Sequence, residues 1–321
     1  MLLSLSDPPE FEQDKFHKLK CVWSWHFTSI LDVLATREKN MQFSAPCDGN
    51  ILDLLVNLFP QSSKNTLRSW LKEGRVQVET TIVKNTNTPI LRNAQITLLE
   101  RKKRIGDNLS IVYEDEDVVV VNKASGLLSV ATAFDKTTTV HAILKSYYRT
   151  RKIFVVHRLD QDTSGIMVFA FNQHSFEQLK ILFEKHDIQR AYTAIVEGMM
   201  KQSEGCWQSY QHEDKQYKVH ETNDSSVGSL AITHFFTVAT SKHYSWMELK
   251  LETGRKNQIR VHCAAAGHPV VGDKKYESVR NPIKRLCLHA HLLAFKHPSS
   301  KKLMSFTAPI PEEFYKLISP S

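Results

Sequence analysis

Glycine is scarce in this 321-residue chain, 11 in all, and the scarcity closes several routes at once. No G-x-G-x-x-G is present, so there is no dinucleotide-binding turn. The segment "GHPVVGDKKY" (267–276) spaces its glycines like a phosphate loop, but Asp273 stands where that loop needs a lysine and would repel phosphates. Cysteine is no richer: Cys21, Cys47, Cys206, Cys263 and Cys287 are scattered, odd in number and without a C-x-x-C pair. That pattern predicts reduced thiols in a cytoplasm rather than a disulfide framework or a zinc site. No apolar run approaches the roughly 20 residues needed to cross a bilayer. The opening "MLLSLSDPPEFEQD" meets acids and prolines where a signal peptide needs a basic stretch. A cytoplasmic protein with no membrane association is expected. The 15 histidines invite a metal, yet H-E-x-x-H and H-x-E…C-x-x-C are both missing. The pair in "HAH" (289–291) would share one strand face but gains no third ligand, so no metal is expected. A serine triad lacks its G-x-S-x-G elbow, and the acidic run Glu114 to Asp117 reads as a solvated turn.

What is abundant is positive charge: 42 Lys and Arg against 34 Asp and Glu, a formal +8. Such a balance favours a polyanionic partner, because each neutralised phosphate releases counterions. Residues 1–46 carry aromatics but no period, and read as an N-terminal extension. From Cys47 a pattern emerges. "ILDLLVNLF" is a compact apolar helix ended by Pro60. "QSSKNTLRSWLKEG" offers Ser62 or Ser63 as N-cap, an apolar seam of Leu67, Trp70 and Leu71, and Gly74 as a stop. Lys64, Arg68 and Lys72 recur every four residues and so share the opposite face, with Arg75 just beyond. "RVQVE" and "AQITLLE" alternate as strands. A cationic helix face backed by a small sheet suits a phosphate backbone; it also describes an ordinary solvated stripe.

The order of helix, "LRSWLKEGRVQV" and "ITL" resembles the alpha-L RNA-binding module found in a small-subunit ribosomal protein and in several RNA-modifying enzymes. The resemblance implies an RNA-binding α/β domain over 47–104 that grips RNA through Lys64, Arg68, Lys72 and Arg75. "RKKRIGDN" (101–108) then reads as a charged linker to a second domain, 105–321. There "LSIVYEDEDVVVVNK" is strand, acidic turn, strand. "TVHAILKSYYR", "HSFEQLKILFEKH" and "KNQIRVHCAAAG" are helical. "RAYTAIVEG", "AITHFFTVAT", "YSWMELKLET" and "KRLCLHAHLLAFKH" are strand-like. Strands outnumber helices without alternating strictly with them, which predicts an α+β fold with a largely antiparallel sheet.

One loop carries an unusual density of chemistry. In "FVVHRLDQDTSGIMVFA" (154–170) two apolar runs enclose His157, Arg158, Asp160, Asp162, Thr163 and Ser164. No carboxylate occurs from His141 to Leu159, while Lys145, Arg149, Arg151, Lys152 and Arg158 all do. A carboxylate entering so cationic a stretch suits a nucleophile or a general base, and equally a structural ion pair. Spacing alone does not choose between Asp160 and Asp162.

"HRLDQDTSG", with "RAYTAIVEG", "LETGRKNQIRVHCAAAGHPVVGDKKY" and "RLCLHAHLLAFKHPSS…MSFTAPIPEEF", resembles the RluA-type pseudouridine synthases in motif and in motif order, over about residues 108 to 315. That resemblance implies a pseudouridine synthase fold, with helices flanking the mixed sheet around a central cleft. The activity it implies is isomerisation of uridine to pseudouridine within RNA, without a cofactor. It makes Asp160 the essential nucleophilic aspartate, Tyr192 the tyrosine that stacks on the target base and can help remove the proton from carbon 5, and Arg260 the basic residue that pairs with the aspartate. His157, Arg158, Thr163 and Arg255 fall at signature positions that would position the loop or the RNA. The expected partner is RNA, ribosomal before transfer RNA, and the expected state a monomer. Two departures stand out: Asn257 where the family usually has histidine, and "NKASGLLSV" without its usual proline.

Overall fold

The computed structural model describes residues 41–318, except 80, 100–102 and 132–138. Most of the predicted N-terminal extension therefore lies outside the described residues, as does Cys21. The chain divides between residues 102 and 103 into two compact units.

The smaller unit runs β1 (Met41–Ser44), β2 (Gly49–Asn50), α1 (Ile51–Leu58), α2 (Lys64–Lys72), β3 (Val76–Val78), β4 (Thr81–Ile82), β5 (Pro89–Ile90) and β6 (Gln95–Leu98). One sheet has the order β1-β6-β3-β4, and β2 pairs with β5 separately. The unit thus takes in residues 41–46, before the boundary expected at Cys47. Four residues of strand are too few to show a period, and β1 is recognisable only through its pairing with β6. Ser63 is the N-cap of α2, accepting the Thr66 N–H at 3.1 Å. Gly74, at φ 68°, takes the left-handed stop that a residue with a Cβ avoids. Ile51, Leu54, Leu55, Leu67, Leu71, Val76 and Ile96 form its core.

The larger unit is built on one sheet because its central strands are apolar on both sides. β9 (Val118–Lys123) and β11 (Ser164–Ala170) read as continuous hydrophobic runs and are buried almost throughout. Helices cover both faces, which removes the polar alternation of a half-exposed strand. One face meets α3 (Val140–Tyr147) and α5 (Gln258–Ala265) through Val140, Leu144, Ile259 and Cys263. The other meets α4 (Gln173–Glu184) through Leu179. Around this centre lie β7 (Lys103–Arg104), β8 (Leu109–Glu114), β10 (Phe154–Val155), β12 (Gln189–Glu197), β13 (Glu204–Glu213), β14 (Val219–Thr222), β15 (Ser229–Thr240), β16 (Tyr244–Leu251), β17 (Leu288–Lys296) and β18 (Leu303–Thr307). A short 3-10 turn (Lys274–Tyr276) and α6 (Glu312–Ile318) complete it. The sheet order is β14-β13-β15-β16-β12-β17-β11-β9-β8-β7, with β10 on β11 and β18 on β17. Two residues of the expected linker, Lys103 and Arg104, are therefore an edge strand, β7.

Among the described strands, β11 and β17 form the one parallel pair, through Ser164–His289 and Gly165–Ala290. Gly165 makes this possible: at φ +125°, an added Cβ would lie 2.2 Å from the Ala290 carbonyl oxygen. The acidic turn is not simply solvated. Asp115 accepts from Tyr113 Oη and pairs with His297, Asp117 accepts from Asn172 and Ser175, and Arg151 holds Glu116. These bonds clasp the β8–β9 turn to α4 and to the end of β17.

Candidate active site

The loop between β10 and β11 is fastened along its length to residues 123–129, the segment that departs from the expected motif. Lys123, fully buried, donates to the carbonyls of Gln161 (2.7 Å), Leu127 (2.7 Å) and Ala124 (3.0 Å). Burial pushes its ammonium down to about 7, although Asp162 and Asp160 pull it upward. Ser129 brackets Leu159, accepting its N–H at 3.1 Å and donating to its carbonyl at 2.6 Å. Gly126 N–H donates to the Gln161 carbonyl and Ser125 Oγ to that of Asp162. Asp160 thus sits on a backbone whose neighbours on both sides are fixed.

Geometry distinguishes the two aspartates. Asp162 is exposed. Asp160 is 21% exposed at its side chain, and its Oδ2 lies 3.5 Å from Arg260 Nη1. Arg260 projects from α5 and is itself held more tightly elsewhere. Its Nε and Nη2 donate to Asp273 at 2.6 and 2.7 Å, a bidentate pair with both partners buried. Its Nη1 also donates to Asn257 Oδ1 at 3.0 Å. Burial alone would lower the guanidinium's affinity for its proton, but Asp273 and Asp160 outweigh it and drive its pKa above the ordinary arginine range. Asn257 is the N-cap of α5 at φ 56°, a left-handed conformation that asparagine tolerates. It also donates to Tyr276 Oη at 3.0 Å, so the departure from histidine is a working hydrogen-bond junction.

Tyr192 lies on β12 at a bulge against β17 and is 8% exposed. Burial, with the charge of Asp160, raises its phenol above the usual tyrosine range against the pull of Arg190. Such a phenol is a poor base at neutral pH and a good apolar platform. His157 stacks on Phe183, centroids 4.6 Å apart, and its Nε2 accepts the Val168 N–H at 3.1 Å. Burial and nearby Arg190 push the imidazole down to about 3, so it is neutral and ties the loop to β11. Thr163 is buried, while Arg158 is exposed. Arg255 is exposed too, but its Nε donates to the Leu230 carbonyl at 2.9 Å. In the other unit Lys64, Arg68 and Lys72 are exposed on α2. Arg75 donates to the Leu99 carbonyl and lies 5.1 Å from the Trp70 ring centre.

Residues 117–265 match the family described as RNA pseudouridylate synthase. The chain is similar to ribosomal large subunit pseudouridine synthase D of Haemophilus ducreyi, 32% identical over 307 residues that cover 86% of this chain and 92% of that one. The chain belongs to the RNA pseudouridylate synthase family. It is likewise similar to the uncharacterized RNA pseudouridine synthase YhcT of Bacillus subtilis, 30% identical across 84% of this chain and 93% of that one. Among solved structures, human RNA pseudouridylate synthase domain containing 1 superposes with a TM-score of 0.53 at 26% identity, covering 65% of this chain and 86% of that one. The fold expectation holds for the larger unit, an α+β pseudouridine synthase fold with a mixed, mostly antiparallel sheet.

Seen as a pseudouridine synthase, the chain's activity is isomerisation of uridine in RNA, and two of its site's supports escaped the sequence reading. Asp273 counted there only as a group that spoils a phosphate loop; it is the buried counter-ion of Arg260. Lys123, ending the run "VVVVNK", gave no sign that it would turn inward and hold the loop. The G-D before "KKY" was the available signal for the first, since an acid in an otherwise apolar and cationic stretch needs a partner. Among the described residues no helix is long and apolar enough to cross a membrane.

Proposed function

We propose that this pseudouridine synthase modifies uridine in large-subunit ribosomal RNA, as a cytoplasmic monomer, with Asp160 as the reacting carboxylate. The observation that carries the assignment is the half-buried Asp160 beside the fixed Arg260, 3.5 Å away. In the reaction the N1–C1′ bond breaks, uracil turns, a C5–C1′ bond forms, the C5 proton passes to solvent and the freed N1 takes up a proton, so the product is an isomer. A stacked uridine must first be flipped out of its strand. Tyr192 then provides a face on which the detached base is retained, stacking being worth about 1–3 kcal/mol per base. Arg260 positions the carboxylate; His157 and Thr163 hold the loop, and Arg158 and Arg255 meet RNA at its rim. The same carboxylate position accommodates attack on ribose C1′, attack on base C6 or removal of a sugar proton.

The ribosomal substrate is supported by the name of the Haemophilus relative, nearly all of whose length is matched here. We also propose that the smaller unit, which ends at residue 102, is an alpha-L RNA-binding domain with Lys64, Arg68, Lys72 and Arg75 as its grip, and that the larger unit from residue 103 is the catalytic domain. A non-catalytic ribosome-assembly role is disfavoured by the retention of Asp160, Tyr192 and Arg260 together. Carbodiimide mapping of pseudouridine in cellular RNA, with and without this protein, tests the substrate: loss of a ribosomal site supports it, and loss confined to transfer RNA refutes it. Asp160→Asn is expected to bind RNA and form no product. Product at the normal rate would dismiss Asp160.

A further inference from the structure

The turn joining β13 to β14 holds an outlier. Tyr217 adopts φ 61° and is 64% exposed. A bulky side chain in the left-handed region costs energy and persists where its surroundings insist on it. Here they do. The Tyr217 N–H donates to the Asp214 carbonyl at 3.0 Å, and Asp214 Oδ1 accepts from the N–H groups of Gln216 and Lys218 on either side. The Tyr217 carbonyl accepts from Lys275 Nζ at 2.5 Å. The Lys256 ammonium lies 5.6 Å from the ring centre and pairs with Glu213.

Lys275 connects this turn to the reaction centre. Its own N–H donates at 3.1 Å to Asp273 Oδ1, the oxygen that also accepts from Arg260. Its ammonium, half-buried, is spent on a backbone carbonyl rather than on a carboxylate. Burial, then the like charges of Lys256 and Arg260, lower its pKa; Glu213 and Asp160 act the other way. Lys256 and Lys275 therefore both reach the turn that offers an aromatic ring to solvent, and Lys275 also feels the charges of Arg260 and Asp160. Cations interleaved with an exposed aromatic are the components of a single-stranded nucleic-acid site: the ring stacks a base, the cations take its phosphate.

We propose that Tyr217, Lys256 and Lys275 form a seat for a nucleotide flanking the target uridine. Its base stacks on Tyr217, and Lys275 and Lys256 hold its phosphate. Extruding a uridine strips its neighbour of a stacking partner, and the Tyr217 ring replaces what was lost. These are positioning residues, and their role rests on Asp160 being the reacting group.

The probe is an unmodified transcript of large-subunit ribosomal RNA carrying tritium at uridine C5, which is released to water as the C5–C1′ bond forms. Filter binding of the same transcript is measured in parallel over a salt series. Tyr217→Ala is expected to weaken binding and raise KM about tenfold, within the range of one lost stack, with a smaller fall in kcat; Tyr217→Phe keeps the ring and recovers most of the affinity. Lys275→Met is expected to flatten the dependence of log K on log salt by about 0.7, one phosphate contact on a single strand, and Lys275→Arg to restore it. Unchanged binding and salt slope in both Tyr217→Ala and Lys275→Met overturn the seat, as does a loss of kcat alone. If the wild type binds the transcript but releases no tritium, the ribosomal substrate reading falls. The binding arms still decide the seat.

Discussion

The bidentate pair of Arg260 with Asp273 makes a sharp thermodynamic prediction. Asp273 is wholly buried at its side chain and Arg260 9% exposed, so water compensates neither charge when its partner is removed. Asp273 Oδ1 also accepts from the N–H groups of Lys275 and Tyr276 at 3.1 and 3.2 Å. Breaking a buried pair from one side costs about 3–5 kcal/mol, because an unpaired charge stays in a dry site. Arg260→Met falls in that range, since Asp273 keeps only its two backbone donors. Asp273→Asn is expected at the lower end, about 3 kcal/mol, because its amide oxygen still accepts while its amide nitrogen faces the guanidinium. For a unit of roughly 200 residues this lowers the melting temperature by about 6–12 °C. The double variant removes both charges, and its cost should fall at least about 2 kcal/mol short of the sum of the singles. Urea unfolding followed by far-ultraviolet circular dichroism measures all four corners without RNA. Activity should behave differently: both singles lose turnover because Nη1 no longer faces Asp160, and the double recovers none of it. Additive unfolding energies would refute the claim that Arg260 and Asp273 form one buried electrostatic unit.

Other perturbations test the neighbouring supports. Lys123, lowered to about 7 by burial against 10.5 for an ordinary lysine, binds its proton less readily folded than unfolded. Its contribution therefore makes stability rise with pH between those two values, by up to about 1.4 kcal/mol per pH unit, and stay flat below pH 7. Urea unfolding at pH 7, 8 and 9 should show that slope reduced in Lys123→Met; parallel curves would contradict the burial argument. Gly165→Ala forces a Cβ against the Ala290 carbonyl and should cost on the order of 3 kcal/mol, with loss of turnover, since the parallel pair follows directly on the loop. An alanine variant of normal stability would mean that β11 and β17 can separate without penalty. Replacing Lys64, Arg68 and Lys72 together by alanine should flatten the salt dependence of RNA binding by about 2–3 in slope. An unchanged slope would remove that face from the grip.

How much of this was legible in the sequence follows from the range over which each signal acts. The helix of Leu67 and Leu71, the buried runs "VVVV" and "IMVFA" and the stop at Gly74 are set by neighbours three to eight residues away, and the sequence displays them. β1 and β7 are too short to carry a period and exist because β6 and β8 offer them an edge. The site is harder still. Asp160 meets Arg260 from 100 residues away, and only their motif resemblance joined the two; Asn257, Asp273 and Tyr276 are near Arg260 in the chain but gave no local sign of converging on it. Nothing local told that Arg260 would give two of its nitrogens to Asp273 and leave the third, at a longer 3.5 Å, for Asp160. With Asp160 as the proposed reacting group, that inequality has a chemical use. Lys123, Ser129, Asn257 and Asp273 are buried and bound at 2.6–3.1 Å, which fixes the frame. Asp160 is held by its backbone and only loosely by its carboxylate. A group that must exchange its partner for a substrate gains by having a weak one, while the groups that aim it gain by having strong ones.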